Sequence, residues 1–236
     1  MGDVKVYAFL KLSKAEYLQR LRNDGLLHLK PLRYFAELED PEKGDAFEGL
    51  DTIMQPKHVG ELTLSTNMSL GSIAVAPQDL AGPVRISLDR IMDCNVYCLF
   101  ALTGPVAGAL VDKRNLGLGD SFLLILNPHE FRQRVFSAAN DAGLNCQAGG
   151  VEYYDGENYS GAVGPFRKRS LYAHQNEYRF VVWPGSTAPV ELSAGSMQDI
   201  TSEVLPASYL SDSWHTFGIL PHNSSGSTES AGTQNQ

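Results

Sequence analysis

Three groups of residues have the types and spacing to do chemistry, and they lie far apart in the chain. The first follows the aromatic pair Tyr34 and Phe35: Glu37, Glu39, Asp40, Asp45 and Glu48, pinned by Gly44 and Gly49. A loop fixed by glycines can aim carboxylates in defined directions, as an acid–base pair or a hard-cation site requires. A solvated turn has the same composition. The second group is QNEYRF, where strand alternation places Gln175, Glu177 and Arg179 on one face and Tyr178, Phe180 and Val182 on the other. A guanidinium two residues from a carboxylate keeps it ionised, which suits a catalytic or ligand-orienting pair and equally a structural ion pair. The third is Arg167, Lys168 and Arg169 after Phe166. Three adjacent cations suit a phosphate or pyrophosphate, or form a solvated basic turn.

Several familiar sites are missing. The chain has no G-x-x-x-x-G-K-[ST] loop, no G-x-G-x-x-G after a strand, no H-E-x-x-H, no C-x-x-C and no G-x-S-x-G. The histidines are scattered, so His28 and His174 read as structural on spacing alone. Cys94, Cys98 and Cys146 are an odd set, the first two in an apolar run, and read as free buried thiols.

The elements that must position these groups follow from hydrophobic periodicity. VKVYAFL (4–10) reads as a first strand, Ser13 to Glu16 as a capping box opening a helix that Gly25 closes, and LLHLK (26–30) as a second strand. Leu32, Phe35 and Leu38 recur at helical spacing after Pro31. Short strands broken by Gly and Pro fill 50–102, ending in NVYCLFAL; DSFLLIL (120–126) is a buried strand, and Asn127–Pro128 starts the clearest helix, which stops near Gly143. Strands are expected over 149–154 and 177–183, and weaker ones near Val190 and over 204–210. The stretch 222–236 carries no aliphatic side chain larger than Ala and reads as a disordered polar tail to a single domain over 1–221.

Hydrophobic residues make up 43% and charged residues 19% of the 236, enough for a real core without staples. The net charge of −8 opposes blanket neutralisation of duplex nucleic acid, so a protein target is expected over a nucleic acid. No signal-peptide pattern opens the chain and no run is long enough to span a bilayer, from which a cytoplasmic location without membrane contact is expected.

Taken in order, the segments resemble a family of uncharacterised bacterial and phage proteins. The resemblance is carried by Y-F-x-x-x-E-D at Tyr34–Asp40, G-D-x-x-E-G at Gly44–Gly49, CNVYCLFAL, and Q-x-E-Y-R at Gln175–Arg179. More remotely the order is similar to the ADP-ribosyltransferase superfamily. That resemblance implies an α+β fold with a mostly antiparallel, split sheet, a few flanking helices and NAD in a cleft. It implies Tyr34 and Phe35 against nicotinamide, Glu177 as the late catalytic glutamate beside Arg179, and Arg167, Lys168 and Arg169 at the pyrophosphate. The first strand departs from the pattern by lacking His or Arg, so that either Lys11 or His28 substitutes or NAD is not turned over; Asp45 and Glu48 are not part of the usual set. The expected function is an NAD-dependent ADP-ribosyltransferase or NAD glycohydrolase, in phage–host conflict. The alternatives are a non-catalytic partner-binding or inhibitor protein, and a Mg²⁺-dependent phosphodiesterase or nuclease using Asp45, Glu48 and Glu177.

Overall fold

Runs of β-branched and aromatic residues set most of the strands, and strand pairing then decides where each one ends. The computed structural model describes residues 5–38, 44–65, 72–88, 93–104 and 111–212. Glu39, Asp40 and the 222–236 tail lie outside the described residues. β1 (Ala8–Ser13) starts later than the apolar run and continues to Ser13, because Lys11, Leu12 and Ser13 pair with Leu123, Phe122 and Ser121. The expected capping box is therefore not formed. Helix α1 (Ala15–Asp24) begins after Lys14 with no cap from its own segment, and Asp120 Oδ1 accepts the Ala15 N–H at 3.2 Å instead. Gly25 ends α1 at φ +64°, where a side chain would strike the Gly195 carbonyl.

β2 (Leu26–Pro31) leads directly into α2 (Leu32–Glu37). The Gly- and Pro-broken middle forms β3 (Thr52–Met54), β4 (Leu62–Ser65), β5 (Ser72–Val75) and β6 (Val84–Ile86), none of which joins the main sheet. β7 (Asn95–Leu102), β8 (Ser121–Ile125) and α3 (Pro128–Asp141) follow; Asn127 caps α3 by accepting the Glu130 N–H at 3.1 Å, as its sequence predicts. The strand expected over 149–154 is two strands, β9 (Asn145–Gly150) and β10 (Glu152–Tyr154). β11 (Gly161–Ala162), β12 (Arg167–Arg169), β13 (Glu177–Trp183), β14 (Val190–Ser193), β15 (Leu205–Pro206) and α4 (Tyr209–Asp212) complete the chain.

The architecture is α+β with a mostly antiparallel sheet. β7 is its branch point. One edge of β7 pairs along its length with β13, which in turn pairs with β9. The other edge is shared: Phe100, Ala101 and Leu102 pair with β1, whereas Asn95 and Val96 pair with β2. Two limbs leave this edge, one through β1, β8 and β15, the other through β2 and β14. Between them the Lys11 ammonium donates to the Cys98 carbonyl at 2.7 Å and lies 4.4 Å from the Tyr97 ring centre. Burial there lowers the Lys11 pKa.

The strand period of two sorts the faces of this sheet. Phe9, Tyr97, Leu99, Tyr178 and Phe180 face α1 and α3, meeting Leu18, Leu21, Phe131 and Val135 in the main core. On the opposite face Val96 and Val181 meet Leu32 and Cys94, with Phe35 and Phe166 packed alongside. Cys94 is buried and Cys98 and Cys146 are half-buried, and burial pushes the thiols of Cys94 and Cys98 up to about 12. Among the described residues, no helix is long and apolar enough to cross a membrane.

Asn95 fixes the end of β7 where β2 leaves it. Its Nδ2 donates to the carbonyls of Leu29 (3.2 Å) and Ala188 (2.9 Å), and its Oδ1 accepts the Ser186 N–H (2.7 Å). Asn95→Ala should strand these buried groups and lower unfolding free energy by about 3 kcal/mol in urea titrations.

Candidate functional site

The distant groups read from the sequence meet on the face of the sheet that carries Val181. β13 presents Glu177 and Arg179 there by strand alternation, and both are buried, at 9% and 1% exposure. β12 lies parallel to β10, pairing Lys168 with Tyr153, and this sends Lys168 inward onto Glu177. The 44–50 segment closes over them. Asp45 Oδ1 accepts the Phe47 N–H at 3.0 Å, the Glu48 N–H donates to the Asp45 carbonyl at 2.8 Å, and Gly49 takes a φ of +70°. Asp45 and Glu48 are each 1% exposed, so the reading of this turn as solvated is corrected.

Four side chains form a closed ionic ring. Glu177 Oε1 accepts from Lys168 Nζ at 2.8 Å, and Glu177 Oε2 accepts from Arg179 Nε at 2.7 Å. Glu48 completes the ring, with Oε1 ion-paired to Arg179 Nη2 and Oε2 3.4 Å from Lys168 Nζ. Remaining donors are also used: Lys168 Nζ donates to Gln175 Oε1 at 2.8 Å and Arg179 Nη1 to the Pro165 carbonyl at 2.7 Å. Beside the ring, Arg169 pairs with Asp45 Oδ1 at 2.7 Å and its guanidinium lies 4.3 Å from the Phe47 ring centre. With Asp45 and Arg169 the cluster holds three carboxylates and three cations.

Electrostatics within the ring follow from this pairing. Burial alone would raise the Glu177 pKa, but the charges of Arg179 and Lys168 outweigh it and hold the carboxyl down at about 2. Lys168 and Arg179 are likewise driven upward against burial by Glu177 and Glu48. Glu177, Lys168 and Arg179 therefore stay charged through the neutral range. Tyr153 Oη accepts the Glu177 N–H at 2.9 Å, and Tyr172 donates to the Gly44 carbonyl at 2.7 Å. Sequence reasoning missed both tyrosines. Adjacency to Glu152 and the 152–154 strand pattern marks Tyr153, whereas nothing local marks Tyr172.

The other expected residues lie at the rim or away from the ring. Phe35 packs on the same apolar cluster as Phe166, and its carbonyl accepts the Asp45 N–H at 3.0 Å. Tyr34 is exposed, edge-on to Phe35, with Lys30 Nζ 3.8 Å from its ring centre. Arg167 pairs with Glu152 at 2.8 Å and donates to the Ala162 carbonyl at 2.9 Å. The Arg167–Arg169 run is thus a set of three separately matched cations, a correction to its reading as one positive patch. His28 sits on β2 opposite Glu191, their side chains 3.4 Å apart on the exposed surface. Asp45, Glu48 and Glu177 are each matched by a cation, and among the described residues no group of three or more His, Cys, Asp and Glu is placed to hold a metal ion. A cavity of ≈ 290 Å³ lies outside the ring, lined by Gly150, Glu152, Val163, Pro165, Phe166 and Arg167.

Removing one member of the ring leaves its neighbours charged and buried. Glu177→Gln or Arg179→Met should therefore lower stability by about 3–5 kcal/mol in chemical denaturation, well beyond the effect of breaking the surface Arg114–Asp112 pair. The pH dependence has a defined sign. Because the folded Glu177 pKa is depressed from 4.5 to about 2, its stabilisation is present above pH 4.5 and is lost as pH falls towards 2. Acid unfolding curves of wild type should be steeper in that window than those of Glu177→Gln. Comparison with protein-family models, with curated proteins and with solved structures finds no match to this chain.

Proposed function

We propose that the protein works by binding a macromolecular partner, with the ionic ring as its internal brace, and not by turning over a nucleotide. The observation that carries this reading is the closure of the ring. Both oxygens of Glu177 are engaged by cations, and the residue is 9% exposed, which leaves little open approach for a ribose hydroxyl. The cations expected at a pyrophosphate are matched one by one, by Glu152, by Glu177 with Glu48, and by Asp45. The net charge of −8 favours a protein partner over duplex nucleic acid.

A second reading retains the NAD chemistry, and one observation favours it. Phe35, Phe166, Glu177, Arg179, Lys168 and the 44–50 turn converge on one face of a sheet that divides at β7. An ADP-ribosyltransferase-like protein of the kind the sequence resembles uses such a convergence to hold NAD, with an ionised glutamate stabilising the oxocarbenium-like state as nicotinamide departs. On this reading the ring opens to admit substrate.

Thermal shift with NAD and with ADP-ribose, together with a nicotinamide-release assay, separates the two. The binding reading predicts no shift and no release. A ligand held at about 100 times its Kd would add roughly 2.7 kcal/mol, so a shift with NAD that Glu177→Gln abolishes would establish the second reading instead.

A further inference from the structure

Three strands end the main sheet, and they are not equally protected. β14 is four residues long and carries Glu191; β15 is two residues long and one of them is Pro206. Short length, charge and proline are the devices that keep an edge from pairing with another chain. β9 has none of them. Its six residues, NCQAGG, carry no charge and no proline, and among the described residues they pair only with β13.

The hydrogen-bond phase of the sheet shows which groups β9 leaves unused. Ala101 N–H donates to the Asn176 carbonyl and Val151 N–H to the Glu177 carbonyl, both at 2.9 Å. Even-numbered residues of β13 therefore bond to β7 and odd-numbered ones to β9. In the β13–β9 register Arg179 faces Gly149 and Val181 faces Gln147. The N–H and C=O of Cys146, Ala148 and Gly150 consequently point out from the open edge.

We propose that this edge pairs, antiparallel and about a twofold axis beside Ala148, with β9 of a second copy of the chain. The three outward residues are symmetric about Ala148. A twofold there sets Ala148 against itself and Cys146 against the partner's Gly150, with two hydrogen bonds for each of the three residue pairs. The opposed side chains are methyl on methyl and thiol on hydrogen, so these pairs do not clash. No like charges meet at the edge, although each chain carries −8. Continuing the same register brings Asn145 of the partner subunit opposite Val151, beside the cavity rimmed by Glu152 and Arg167. An amide can accept from Arg167 and donate to Glu152. The proposal goes beyond the partner-binding reading and does not depend on it.

Sedimentation of the full chain over about 1 µM to 1 mM tests it. Wild type is expected to show a reversible monomer–dimer equilibrium that tightens as salt is raised, because salt screens repulsion between two negatively charged chains. Ala148→Pro removes an outward N–H that β13 does not use, and should be monomeric at every concentration. Cys146→Ser combined with Ala148→Cys should form a symmetric intermolecular disulfide with a copper–phenanthroline oxidant, since directly paired strand residues lie within disulfide reach. A monomeric wild type, a dimer that loosens with salt, or an unchanged dimer in Ala148→Pro overturns the proposal. Should Ala148→Pro fail to fold, the cross-link decides: dimer without the disulfide also overturns it. Because no nucleotide enters these measurements, their failure is distinguishable from failure of the partner-binding reading.

Discussion

Arg179 is almost wholly buried, and the rest of this face is arranged around the cost of keeping it there. An unmatched guanidinium in that position would be prohibitive, so the fold must bring negative charge to it from two directions. Glu177 arrives on the same strand. Glu48 arrives from a turn more than a hundred residues earlier, which is why the 44–50 segment lies against the sheet instead of in solvent. Lys168 then bridges the two carboxylates, and the 3₁₀ turn Ser170–Gln175 supplies Gln175 and Tyr172 as hydrogen-bonding supports. The ring links three parts of the chain, the 44–50 turn, β12 and β13, so charge here joins segments that lie far apart in sequence.

The branch at β7 determines where such a ring can form. Because β1 and β2 share one edge of β7, the other edge is free to pair along its length with β13. That long pairing holds Glu177 and Arg179 in fixed alternation above Phe100 and Cys98. Lys11 occupies the point of divergence and satisfies a carbonyl that neither limb reaches. Its lowered pKa and partial exposure follow from that position.

Much of the frame was legible because it depends on local rules. β7 and β13 occupy the bounds their alternation predicts, and Asn127 with Pro128 opens α3 as such a pair should. Errors arose where a distant partner overrode a local signal. Ser13 has the chemistry of a helix cap but is taken by pairing with Ser121, and Asp120 performs the capping from across the sheet. Gly149 to Tyr154 looks continuous, yet Gly150 belongs to the main sheet while Glu152 pairs with Arg167. For the site, the sequence showed the right residues but not their burial. Carboxylates between glycines look solvated until their matching cations are known, and those lie beyond any local window.

The separation in sequence between the acidic turn and its partners also orders events during synthesis. Asp45 and Arg169 are 124 residues apart, and Tyr172 lies 128 residues after the glycine whose carbonyl it binds. At roughly 5–20 residues per second, the acidic turn leaves the ribosome some 6–25 seconds before its partners exist. Throughout that interval its carboxylates are best left hydrated, and their density keeps the nascent segment soluble. Desolvation waits for the last third of the chain, so the composition that made this turn look like surface is also what suits it to a long wait for burial.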